Sequence, residues 1–193
     1  MPRYDADWVA MLNSEERVRA TRPAELLRVA GAGPGSTVVD YGSGPGFLTI
    51  PAAEVVGPAG RVIGVDVEPR MHSLVADLAR GRGLTNVECL HPDEARRLPD
   101  GLADVVGAAL FLHDFQPAQR AELLAELHRL CRPGGHLLVI EWLAPGGLAG
   151  PSTETRFAAP DLAALLSRHR FRPAAPQPLG DQYFAMLARK GEA

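Results

Sequence analysis

Short, mostly apolar runs alternate along this chain with stretches in which apolar residues return every three or four positions. Thr37 to Tyr41, Arg61 to Asp66, Asn86 to Leu90, Asp104 to Leu110 and His136 to Trp142 are runs of the first kind and predict five buried strands. The fourth is apolar beyond its first residue, as a strand covered on both faces would be. Met71, Leu74, Val75 and Leu78 keep the i, i+3, i+4, i+7 spacing of a helix stripe, and Leu123, Leu124, Leu127, Leu130 and Cys131 form a second. Phe47 to Val56 reads as the first crossover helix, and Gly- and Pro-rich clusters at 57–60 and 132–135 punctuate the pattern. Strands and helices in this alternation predict a parallel α/β sheet with right-handed crossovers.

The flanks differ from this core, taken as residues 36–142. Residues 1–35 read as a helical lead-in: Ser14 caps one helix with Glu15 and Glu16 in its first turn, and a second starts near Pro23 with Leu26, Leu27 and Ala30 inward. Residues 143–193 are less regular, with a Gly/Pro-rich loop over 144–152 and a helix over 161–169. A strand then begins at Phe171, and a last one runs from Gln182 to Ala188. The whole chain, 1–193, reads as one domain without repeats.

Composition removes several function classes. At 193 residues with 46% hydrophobic and 22% charged content, the chain can bury one sizeable core. A net charge of −3 leaves no electrostatic footprint for nucleic acid. Cys89 and Cys131 make no disulfide framework in a chain of this length, so both read as reduced core thiols. The mixed N-terminus is no signal peptide, and the longest apolar run, Val105 to Leu112, is far too short to span a bilayer. The expectation is a cytoplasmic protein; this reading is compatible with a homodimer.

The candidate chemistry is concentrated where the first strand meets the first crossover helix. Asp40 and Tyr41 run into Gly42, Ser43, Gly44, Pro45 and Gly46, and Phe47 follows. Such a turn lets backbone approach a ligand with no side chain between, next to a helix N-terminus. A dinucleotide fingerprint would place its third glycine where Phe47 stands; here it is Gly46, behind an acid. A carboxylate at that place repels pyrophosphate and suits a ligand bearing an ammonium and a sulfonium. Strand, acid, G-x-G-x-G and helix in that order resemble motif I of the class I S-adenosylmethionine-dependent methyltransferases, closest to their small-molecule, UbiE-like and type 11 branch.

That resemblance covers residues 20 to 189 and carries expectations with it. The fold implied is Rossmann-like: a seven-stranded mixed sheet, order 3-2-1-4-5-7-6, last strand antiparallel, helices on both faces. The cofactor implied is S-adenosylmethionine, with S-adenosylhomocysteine as product, held by Asp40, Tyr41, Gly42, Ser43, Gly44 and Gly46. Asp66, closing the second strand, is placed to accept both ribose hydroxyls, the alternative being a helix cap. Asp93, Glu94 and Ala95, followed by Leu98 and Pro99, match the segment that meets the adenine, while Val67 and Met71 would be apolar walls or plain core. Leu110 departs from the family, which often has a polar residue there, and leaves only its backbone carbonyl to hold the cofactor's amino group. Pro133, Gly134 and Gly135 match the family's stop before its fifth strand.

Methyl transfer from a sulfonium is in-line displacement of an excellent leaving group, so alignment and exclusion of water are the main demands. A base is needed only for a nucleophile protonated at neutral pH. His113, with Asp114 beside it, is the best candidate, against a loop histidine that packs or caps. Tyr4, Trp8 and Tyr183 are candidates for an acceptor pocket or for ordinary packing. A small organic acceptor fits best: Leu110 to Leu112 lack the polar motif of nucleic-acid methylation, and two core thiols do not suffice for arsenite. A non-catalytic S-adenosylmethionine-binding protein, sensor or inactive partner, is the alternative of another class, and a nicotinamide-dependent reductase is disfavoured by Gly46 and Phe47. No metal site is expected.

Overall fold

The computed structural model describes residues 9, 11–143, 151, 152 and 154–191. Tyr4 and Trp8 and most of the 144–152 loop lie outside the described residues. After two short helices, α1 (Glu15–Thr21) and α2 (Pro23–Val29), come β1 (Thr37–Tyr41), α3 (Thr49–Val56), β2 (Arg61–Val65), α4 (Pro69–Gly81), β3 (Val87–Leu90) and the single turn α5 (Pro92–Ala95). The chain continues through β4 (Ala103–Ala109), α6 (Pro117–Leu130), β5 (Cys131–Trp142), α7 (Ala159–Arg168), β6 (Phe171–Pro173), β7 (Gln177–Leu179) and β8 (Tyr183–Lys190).

The strands form one sheet in the order β3-β2-β1-β4-β5-β8-β6, with β7 also on β8. The first five run parallel, and β8 returns antiparallel along β5 over seven residue pairs. The expected order is therefore present with one strand added. β6 and β7 lie one after the other along the outer edge of β8. Each contains a proline, Pro173 and Pro178, and an edge is where a strand tolerates a residue without an N–H. Two three-residue strands interrupted by proline have no sequence period to announce them.

Alternate residues of each strand serve opposite faces. Val38, Val62, Val105, Leu138 and Ile140 pack with Leu26, Leu27 and Val56 of the α2–α3 side. Val39, Tyr41, Val106, Leu137 and Val139 pack with Leu123, Leu127 and Leu162 of the α6–α7 side. By this count Asp40 points toward α3 and Tyr41 toward α6, which decides what each can do at the site.

Two boundaries differ from the sequence reading. α3 starts at Thr49 rather than Phe47, because Gly44 to Leu48 complete the turn; Phe47 and Leu48 are buried beneath it. β5 starts at Cys131, which is the extended cap of α6 and not part of its apolar stripe. Cys131 pairs with Ala103 and the register then jumps to Val105 opposite His136, so Arg132 to Gly135 bulge out of the ladder. The Lys190 ammonium secures this corner by donating to the carbonyls of His128 (2.7 Å) and Cys131 (2.8 Å). Lys190→Met removes a cation from the carboxyl end of α6 and is expected to cost about 1–2 kcal/mol in urea unfolding; an unchanged midpoint would count against this cap.

Candidate functional site

The Gly-rich turn is bonded to its neighbours through backbone. Gly42 and Ser43 both donate N–H to the carbonyl of Val65, the last residue of β2, at 2.8 and 3.0 Å. Gly42, Gly44 and Gly46 have φ of +78°, +49° and +94°, the left-handed region in which a side chain is strained. A Cβ on Gly42 would also stand 2.5 Å from the Phe111 ring, whereas a Cβ on Gly44 would meet open space. Gly44 donates its N–H to Asp66 Oδ2 (2.8 Å), and Asp66 Oδ1 accepts from Glu68 N–H (2.9 Å). A carboxylate has about four acceptor positions, so Asp66 braces the turn and keeps capacity for two further donors.

Asp40 lies beneath the same turn, 1% exposed. Its Oδ2 accepts the Thr49 hydroxyl at 2.6 Å, while Oδ1 has no partner among the described residues. Burial pushes its carboxyl up to about 7, with the nearby Asp66 charge adding to the rise and the Thr49 hydrogen bonds opposing it. The buried Ser43 hydroxyl is also without a partner among the described residues. Orphaned buried polar atoms of this kind call for explanation, and a cation over the turn would supply one for Asp40.

In front of the turn, at the carboxyl ends of β1 and β2, lies a cavity of about 810 Å³. Tyr41, Gly42, Asp66, Val67, Pro92 and Phe111 form its wall on the sheet side, and α6 closes the other. Val67 is 62% exposed there. The structure does not bring every expected residue to this wall: Asp40, Ser43, Gly44, Gly46, His113 and Asp114 are not among those that line it. Met71 is buried in α4, and Ala95 is fully buried in the core. Glu94 caps its own turn by accepting His91 N–H at 2.8 Å. Asp93 has a largely exposed side chain beside His91, and its N–H donates to His91 Nδ1. In a one-turn helix residues four apart share a side, so Pro92 and Arg96 line the cavity while Asp93 and Glu94 do not.

β4 ends in a strained step. Leu110 has φ +55°, costly for a bulky residue, and its N–H donates to the Ile140 carbonyl at 2.7 Å. Its side chain packs toward the α2–α3 side and is not on the cavity wall. The step lays Phe111 on Gly42, with Phe115 edge-on to it at 4.7 Å, and starts a 3₁₀ turn over Leu112–Asp114. Arg120 holds the turn by donating to the carbonyls of Leu112 (3.2 Å) and Phe115 (2.7 Å).

Within that turn His113 is 9% exposed, and its Nδ1 lies 2.8 Å from Oε2 of Glu141, a fully buried residue of β5. Glu141 also accepts the backbone N–H of His113 and of Trp142, each at 3.2 Å. In the neutral imidazole, Nδ1–H donating to the carboxylate leaves the lone pair on Nε2, 3.7 Å from Asp114 Oδ1. Burial alone would lower the imidazole, but the Glu141 hydrogen bond and charge, aided by Asp114, raise it above its usual range. Sequence reasoning picked out His113 and Asp114 and missed Glu141. The available signal was a carboxylate inside an otherwise apolar run, at a strand position buried on both faces.

Among the described residues no helix is long and apolar enough to cross a membrane, and no three His, Cys, Asp or Glu side chains converge to hold a metal. A methyltransferase domain profile matches residues 38–135. The ubiquinone/menaquinone biosynthesis C-methyltransferase UbiE of Ectopseudomonas mendocina is 34% identical over 122 residues, 62% of this chain and 47% of that protein. The chain thus spans about half the length of the curated relatives it matches. A SAM-dependent methyltransferase from Aquifex aeolicus superposes with a TM-score of 0.86 at 26% identity, covering 97% of this chain and 99% of that one. The 1,6-didemethyltoxoflavin-N1-methyltransferase of Burkholderia thailandensis, solved with 1,6-didemethyltoxoflavin and S-adenosylhomocysteine, superposes with a TM-score of 0.70 at 25% identity over 97% of this chain and 87% of its own.

Proposed function

The chain belongs to the methyltransferase domain family, and from that premise we propose that it transfers a methyl group from S-adenosylmethionine to a small-molecule acceptor. The observation that carries this reading is Asp66, whose carboxylate lines the large cavity while bracing Gly44 of the turn. The residues present fit the cofactor. Asp66 offers acceptor positions for the two ribose hydroxyls, Val67 offers an apolar edge, and the open space over Gly44 admits close backbone approach. Asp40, with its unpartnered Oδ1, suits an ammonium. S-adenosylmethionine, when bound, supplies an electrophilic methyl on a sulfonium.

The chain's own contribution is to orient, to keep water out and, for a protonated nucleophile, to take a proton. His113 Nε2 is the acceptor of that proton in this reading, and Glu141 stabilises the imidazolium that results. Small-molecule specificity is supported by the Burkholderia thailandensis enzyme, an N1-methyltransferase solved with 1,6-didemethyltoxoflavin bound. Neither a nucleic acid nor a membrane is part of this proposal, and the action is assigned to one domain, 1–193, in the cytoplasm.

Calorimetric titration with S-adenosylmethionine and S-adenosylhomocysteine tests the reading. Micromolar binding is expected, and Asp66→Ala should weaken it by about 1.5–3 kcal/mol, roughly 10- to 150-fold, the scale of hydrogen bonds to a charged group. Circular dichroism checks that the variant, which also frees Gly44 and Glu68 N–H, stays folded. No binding by the intact wild-type chain would overturn the proposal.

A further inference from the structure

A second cavity, of about 220 Å³, opens at the carboxyl end of β5, on the side of the sheet away from His113. Its walls include Trp142, Tyr183, Ser14 and Arg17, with Glu16 and Asp181 at an exposed rim. Arg17 is the unusual member. It lies on α1 and is only 6% exposed, yet it has no ion-pair partner among the described residues. One of its N–H groups donates to the Leu12 carbonyl at 3.2 Å, and the guanidinium sits 5.6 Å from the centre of the Trp142 ring. A guanidinium carries five N–H donors in a planar fork, and a buried charge is ordinarily paired. Here one donor is used among the described residues, and the fork borders a cavity.

The apolar wall has a matching shape. The Trp142 and Tyr183 ring centres lie 4.7 Å apart with their planes tilted by 46°, and both are nearly buried. At ~30 Å³ per water the cavity holds about seven waters, the space of one substituted ring. It is also next to the chemistry. Trp142 follows Glu141, the partner of His113, and their side chains leave β5 on opposite faces. Asn13, one residue before the cap of α1, donates to the Pro45 carbonyl of the Gly-rich turn at 2.7 Å. The cavity and the turn therefore share the carboxyl edge of the sheet, where open α/β sheets bind ligands.

We propose that this cavity is an acceptor site for a planar ring bearing an anionic group, with Arg17 gripping the anion and Trp142 and Tyr183 flanking the ring. Its role as acceptor site rests on the methyl-transfer reading for a nucleophile that needs no base, because His113 lies on the other side of the sheet; its preference for an anion does not. Glu16 and Asp181 do not cancel that preference, because both are solvated and screened while the Arg17 charge is enclosed.

The test is calorimetric titration of the full chain, alone and with S-adenosylhomocysteine, using benzoate and 4-hydroxybenzoate against their neutral amides. The carboxylates should bind at least about tenfold more tightly than the amides, as charge-assisted, bidentate contacts do. Arg17→Gln should erase that preference while leaving amide binding in place, Arg17→Lys should restore part of it, and Trp142→Leu should weaken both classes. Equal binding of acid and amide by the wild type, no carboxylate binding up to about 10 mM, or a preference that survives Arg17→Gln would each overturn the proposal. The wild-type comparison decides the matter even where a variant fails to fold. No methyl transfer is needed, so a failed cofactor titration and a failed anion preference remain separate results.

Discussion

Replacing Asp40 with asparagine is expected to flatten a pH-dependent loss of stability that the wild-type chain shows between pH 4 and pH 8. Burial lifts the Asp40 carboxyl from 3.8 to about 7, so the folded chain holds this proton where the unfolded chain has released it. Below pH 3.8 both states are protonated and the group contributes no difference. As pH rises toward 7 the unfolded state gains the advantage, at 1.36 kcal/mol per unit, for a total of about 4 kcal/mol that stays lost above pH 7. His113, raised by Glu141, adds a loss that begins above pH 6.5, and His128 and His136, lowered by burial, act in the opposite sense. Asp40→Asn leaves those three in place, so the difference between the two curves isolates Asp40. Urea midpoints at pH 4 and pH 8 make the measurement; parallel curves for the two proteins would refute it. The same carboxyl should couple to the cofactor. An ammonium beside Oδ1 favours the ionised form, so wild-type affinity for S-adenosylmethionine should rise from pH 6 to pH 8, and that of Asp40→Asn should not.

Glu141→Ala is expected to lower stability by about 3–5 kcal/mol, the range for breaking a buried charged pair. One truncation strands three donors: His113 Nδ1–H, His113 N–H and Trp142 N–H. In a domain of this size the loss corresponds to about 6–20 °C in Tm. Glu141→Gln should be milder, because its amide oxygen still accepts one bond while the charge is gone. His113 then keeps the burial that lowers it and loses the partner that raised it. If His113 is the base, the acidic limb of the kcat profile of Glu141→Gln should move to lower pH. A Tm for Glu141→Ala within 2 °C of wild type, roughly one kcal/mol, would remove Glu141 as the anchor of this turn, and an unmoved pH limb would leave it a structural role alone.

Much of this protein can be read from local sequence because its main features are local. The strand–turn–helix from Thr37 to Val56 needs three glycines at positive φ within five residues, and the fourth and fifth strands are apolar because both faces are covered. Asp66 stands out because it is the acid directly after the apolar run of β2 and shortly before α4. Cys131 misled the periodicity: it keeps the helix stripe by number, yet pairing with Ala103 and the Lys190 cap draw it into extended backbone. β7 left no trace because three residues including a proline have no period, and only the open edge of β8 makes them a strand.

The sequence by itself determined the alternation of strands and helices from β1 to β5, the acid-plus-glycine turn and the acid that follows β2, since each depends on residues within one or two turns of chain. Tertiary structure alone decided which side chains meet. Asp40 became a half-satisfied carboxyl raised to about 7 because α3 covers it. His113 acquired Glu141 from 28 residues away, because β4 and β5 lie side by side. Arg17 came to lie over Trp142 at the edge of a cavity, on a helix whose start Asn13 ties to the Gly-rich turn. Burial, pairing and charge at a site are sums over neighbours distant in sequence, and no local pattern in the sequence encodes that sum.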